Sequence, residues 1–136
     1  MRHLPLLVAS ALLVAGGAPA LAQDQGPGVS AVIAFSGGLN PAADAQLVDA
    51  VKAVNTYANG FKGNPCKGRF LQATFAGAES GAYIAVIECP NMEALARSGQ
   101  MLNADAQFRK LNGDVGARIQ AAGGKLLSQS VYQDVR

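Results

Sequence analysis

The chain has 136 residues, half of them hydrophobic, with eleven Lys and Arg against nine Asp and Glu, numbers that suit one small globular domain rather than several. The charges are dispersed along the chain, so neither nucleic acid nor an acidic membrane surface is indicated as a partner. Tryptophan is absent and His3 is the one histidine. Once residues 1–22 are removed, Ser-His-Asp, Cys-His and histidine-ligated zinc, copper or haem chemistry are excluded.

Residues 1–22 begin with a positive charge at Arg2, continue through an apolar run from Leu4 to Ala15, and end on Ala20 and Ala22 in an A-x-A arrangement. This is the form of a secretory signal peptide. The run is shorter than the roughly 20 apolar residues of a membrane span and is interrupted by Gly16, Gly17 and Pro19. Cleavage after Ala22 is expected to leave a mature chain of 114 residues with ten basic and nine acidic side chains, periplasmic or secreted and without a membrane anchor.

Residues 23–28 are polar and rich in Gly and Pro and read as a flexible lead-in to a single domain over 29–136. Val29 to Phe35 reads as a short strand ended by Ser36-Gly37-Gly38. Asn40 is placed to cap a helix with Pro41 at its first position. Leu47, Val51, Val54, Ala58 and Phe61 then recur at spacings of four, three, four and three, which gives one buried face before the Asn59-Gly60 stop.

After the turn at Gly63-Asn64-Pro65, the stretch from Gly68 to Pro90 reads as two β-strands joined by a tight turn bracketed by Gly77 and Gly81. Alternation places Phe70, Gln72 and Thr74 on one face with Tyr83, Ala85 and Ile87, and Leu71, Ala73 and Phe75 on the other with Ala82, Ile84 and Val86. The second face is wholly apolar and is expected to seat the helices. The first is expected to stay bare until another surface covers it. Asn91 and Asp105 are placed to cap two further helical segments, the later one carrying Phe108, Leu111, Val115 and Ile119 on one side. Gly123-Gly124 ends it, and Lys125 to Val135 reads as a last strand.

The element order is βαββαβ with a split second helix. This predicts an α+β, ferredoxin-like domain with a four-stranded antiparallel sheet and helices on one face. The helix start Ala104-Asp105-Ala106-Gln107-Phe108 resembles the "ADPEW"-type start of NIPSNAP-like members of the dimeric α/β barrel superfamily, with Ala106 in place of Pro and Phe108 in place of Trp. The resemblance covers the whole mature chain in element order and implies a homodimer with its sheets face to face. The superfamily includes ligand-binding proteins, haem enzymes and cofactor-free oxygenases, so no activity follows from it.

Cys66 and Cys89 flank the hairpin. A two-residue turn sets them opposite one another, whereas a wider loop makes them diagonal neighbours about 7 to 8 Å apart, beyond disulfide reach. An exported chain permits the bridge, and it is expected. Arg69 and Glu88 read as a surface ion pair. The candidate ligand-binding residues are Phe70, Gln72, Thr74, Tyr83 and Ile87 on the face expected to be bare, joined by Tyr132 beside Ser128 and Ser130 of the last strand. No metal site and no cofactor are expected. Three functions are compatible with these residues: binding of a small, largely apolar molecule between the sheets, cofactor-independent oxygenase or isomerase chemistry using Tyr83 or Glu88, and a structural or interaction role without a pocket.

Overall fold

The structure, a computed structural model, describes residues 27–36, 41–73 and 81–135. Residues 1–22, expected to be a signal peptide, Asn40, expected to cap the first helix, and the expected hairpin tip with Thr74 and Phe75 lie outside the described residues. The elements follow in the order β1 (Val29–Phe35), α1 (Pro41–Gly60), β2 (Lys67–Gln72), β3 (Tyr83–Cys89), α2 (Met92–Ala104), α3 (Ala106–Ala121) and β4 (Leu126–Gln133). The four strands form one antiparallel sheet in the order β2-β3-β1-β4, the expected ferredoxin-like arrangement.

Side-chain capping sets the split between α2 and α3. Asn91 Oδ1 accepts from Ala94 N at 2.8 Å and starts α2. Asp105 then acts on both helices. Its N–H donates to Leu102 O at 3.1 Å, closing α2, while its Oδ1 accepts from Phe108 N at 2.7 Å and opens α3. The backbone at Asp105 is extended, φ −82° and ψ 126°, so the chain turns there without needing glycine. Tyr57 of α1 donates its hydroxyl to the same Asp105 oxygen at 2.9 Å and ties the junction to α1.

Strand pairing fixes which residues share a face. Phe70 stands opposite Ala85 and Gln72 opposite Tyr83, while Ile33 and Phe35 of β1 partner Ala85 and Tyr83 from the other side. This set lies under the helices: Ile33 and Phe35 form one core cluster with Leu47, Val51, Val115 and Ile119, and Phe70, Tyr83 and Ala85 pack against it. Ile87 packs against a second cluster, in which Val29 and Ala31 meet Ala94 and Leu95 of α2. The expected assignment of the two sheet faces is therefore reversed.

Two physical reasons account for the reversal. Phe35, Phe70 and Tyr83 form a ring cluster with centroids 5.7 to 6.2 Å apart, a large apolar surface that goes to the interior. The wholly apolar run around Leu71, Ile84 and Val86 shares its face with Lys67, Arg69 and Glu88, whose charges must meet water. Arg69 Nη2 lies 2.7 Å from Glu88 Oε1 on this outer face, both side chains being about half exposed. Tyr132, opposite Ser30, and Ser128 and Ser130, opposite Ala34 and Val32, belong to the outer face too, so Tyr132 does not join Phe70 and Tyr83.

Cys66 and Cys89 form a disulfide with their Cα atoms 4.4 Å apart. They continue the β2 to β3 pairing by one step beyond Lys67 and Glu88, which is the register of the tighter turn. Ala73 N donating to Ala82 O at 2.8 Å carries the same register toward the tip.

Candidate ligand-binding site

Between the sheet and its helices lies a cavity of about 480 Å³. Its floor is the inner sheet face, with Ile33 of β1, Phe70 of β2 and Ala85 and Ile87 of β3. Its roof comes from α1 through Val51, Val54 and Ala58, from α2 through Leu95 and Leu102, and from α3 through Phe108 and Val115. Gln129 and Val131 of β4 close it at one side. Cover is thinnest there, since Leu126 and Val131 are 45% and 44% exposed.

The cavity exists because helices and sheet meet in two separate clusters. Phe35, Leu47, Val51 and Ile119 gather at one end, and Cys66, Cys89, Ala94 and Leu95 at the other. Ala31, Ala58 and Ala85 line the cavity with side chains too small to fill it.

Polar groups enter this apolar lining in two ways. Asn59 and Asn64 are committed to the framework. The Asn59 carboxamide pairs with the backbone of Gly68, accepting from its N at 2.7 Å and donating to its O at 3.0 Å, as a neighbouring strand would. Asn64 donates to Ala58 O at 2.7 Å and accepts from Cys66 N at 3.1 Å and from the buried Ser98 hydroxyl at 2.7 Å, which joins the end of α1, the start of β2 and α2. By contrast, Asn55 on α1 and Asn112 on α3 line the cavity and make no side-chain hydrogen bond among the described residues.

Of the residues singled out from the sequence, Phe70 and Ile87 line the cavity. Tyr83 is outside the lining, held in the ring cluster with Phe35 and Phe70. Gln72 is exposed at the end of β2, and Tyr132 is 60% exposed on the outer face. Thr74 lies outside the described residues. Sequence reasoning passed over Asn55 and Asn112, although each stood within an apolar helical stripe, Asn55 between Val51 and Ala58 and Asn112 between Phe108 and Val115.

The perturbed titrating groups sit at the helix junction, outside the lining. The hydrogen bond from Phe108 N, followed by that from the Tyr57 hydroxyl, holds the Asp105 carboxyl below its ordinary value. The same hydrogen bond to Asp105, followed by partial desolvation, raises Tyr57 above its ordinary value. Among the described residues no group of three or more His, Cys, Asp or Glu is placed to hold a metal ion.

No family model matches the chain, and no curated protein matches it. Among solved structures it is similar to a putative antibiotic biosynthesis monooxygenase from Caulobacter crescentus, at 15% identity and a TM-score of 0.54, over 82% of this chain and 92% of that one. It also aligns with a C-terminal segment of the alpha subunit of aIF2 from Pyrococcus abyssi, at 16% identity and a TM-score of 0.44, over 81% of this chain and 52% of that one, a likeness too slight to bear on structure or function. The first likeness is one of fold: this chain shares the ferredoxin-like α+β architecture of the Caulobacter crescentus protein.

Proposed function

We propose that the protein binds a small, largely apolar molecule in the cavity between the sheet and its helices. The cavity carries the reading: about 480 Å³ lined mainly by apolar side chains with a few polar groups is the usual make-up of a small-ligand site. It also weighs against a purely structural role. The ligand's place differs from that expected between two sheets, because Phe70 and Ile87 face helices.

Export to the periplasm or beyond, with removal of residues 1–22, belongs to the same reading. The Cys66–Cys89 disulfide supports it, and among the described residues no helix is long and apolar enough to cross a membrane. A homodimer also belongs to it, formed through the outer sheet face, where Leu71 is 43% exposed beside Ile84. The Asp105-capped start of α3 supports NIPSNAP-like kinship within the dimeric α/β barrels.

A cofactor-independent oxygenase or isomerase is the second reading, favoured by the fold shared with the Caulobacter crescentus protein described as a putative antibiotic biosynthesis monooxygenase. Its two named proton-transfer groups do not serve the cavity: Tyr83 sits among rings, and Glu88 is paired with Arg69 on the outer face. Binding is therefore the better supported function. Native mass spectrometry of protein purified from its own host tests it, the expected result being a dimer of chains starting at Gln23 that retains a small organic molecule. A ligand-free protein that takes up no apolar probe would overturn the binding function.

A further inference from the structure

The chemistry of the cavity wall restricts what kind of molecule enters, and this step rests on the binding function proposed above. Among the described residues no Asp, Glu, Lys, His or Tyr lines the cavity. Arg69 is the ionisable residue of the lining, but it pairs cross-strand with Val86 and its guanidinium is engaged by Glu88 on the outer face. Among the described residues, the polar side chains of the lining without a framework partner are all uncharged: Gln100, Asn103, Gln129 and Ser130, and two carboxamides set within helical stripes over the sheet, Asn55 and Asn112. Each interrupts an apolar stripe in which a leucine would pack, and Asn55 lies so close to Gly68 that a β-carbon there would overlap its Oδ1. Among the described residues no buried side-chain nitrogen or oxygen lacks a partner, so these amide atoms face accessible space rather than a closed apolar wall.

We infer that the cavity selects an uncharged molecule with a carbonyl, hydroxyl or amide group on an apolar body, and rejects the carboxylate or ammonium form of the same skeleton. A carboxamide both donates and accepts, so it satisfies a neutral polar group of either kind. It offers no countercharge. An ionised ligand would leave water for an apolar wall with nothing to neutralise it, a far larger penalty than that of a hydrogen-bonded neutral group.

The test uses the mature protein and three probes of one skeleton at neutral pH: naphthalene, naphthalene-2-carboxamide and naphthalene-2-carboxylate, with affinities measured by equilibrium dialysis. The carboxamide is expected to bind tightest, and the carboxylate at least about tenfold more weakly. Asn55→Leu and Asn112→Leu, made separately so that one folded variant suffices, are each expected to lower the carboxamide-to-naphthalene affinity ratio by up to about tenfold. Carboxylate binding as tight as the carboxamide would overturn the charge selection while leaving the binding function standing. Carboxamide-to-naphthalene ratios unaltered in both variants would overturn the role of the asparagines. Failure of all three probes to bind would overturn the binding function itself.

Discussion

Asp105 ends α2, begins α3 and receives the hydroxyl of Tyr57, so one carboxylate sets the relation of three helices. Its folded-state value lies below the ordinary 3.8, so its stabilising contribution is fully present above that value and is lost as pH falls through the folded-state value. Tyr57 runs the other way. Its contribution is present below its ordinary 10.0 and is lost as pH rises through the raised value. Asp105→Asn keeps a good N-cap but removes the charge. Thermal unfolding followed by circular dichroism is expected to show a flatter fall in Tm below about pH 4 for this variant than for the parent chain.

At the scale of elements, β2 is an edge strand whose free side is partly closed by Asn59 rather than by another strand. Asn59→Ala removes both partners of the Gly68 backbone at once, and a loss of about 1 to 2 kcal/mol in denaturant unfolding is expected. The sequence carried the elements themselves almost whole. The expected bounds of β1 match the observed ones, and Asn91 and Asp105 cap the helices they were expected to cap, because these signals are local. Which face of the sheet meets the helices is not a local property. Alternation grouped the residues correctly, but the choice turned on Arg69 and Glu88 sharing a set with Leu71 and Val86, a weaker signal than the apolarity of that set near the hairpin tip. The cavity lay further out of reach. It depends on how far apart two clusters hold the layers, and Asn55 and Asn112 mark it only once their helices are placed over the sheet.

For the whole molecule, the two sheet faces make separable predictions. Ile87 packs beneath α2 beside Ala94 and Leu95, so Ile87→Asp buries an unpaired charge at a cost of several kcal/mol and is expected to unfold a domain with only about 5 to 15 kcal/mol in hand. Leu71→Asp places the charge on the exposed outer face, and in light scattering it is expected to halve the mass of the proposed dimer while circular dichroism stays native. A dimer unmoved by Leu71→Asp would place the interface elsewhere. The Cys66–Cys89 bridge spans a separation of 23 residues, and replacing both cysteines by serine is expected to cost about 3 kcal/mol by releasing that constraint on the unfolded chain. The bridge also makes the hairpin a closed covalent ring. A protease that cuts once anywhere between Cys66 and Cys89 severs the backbone without separating its halves. Such a nicked protein is expected to run as one band on a denaturing gel without reductant and as two with it, and to keep its fold as long as the bridge holds the two arms of the hairpin in register.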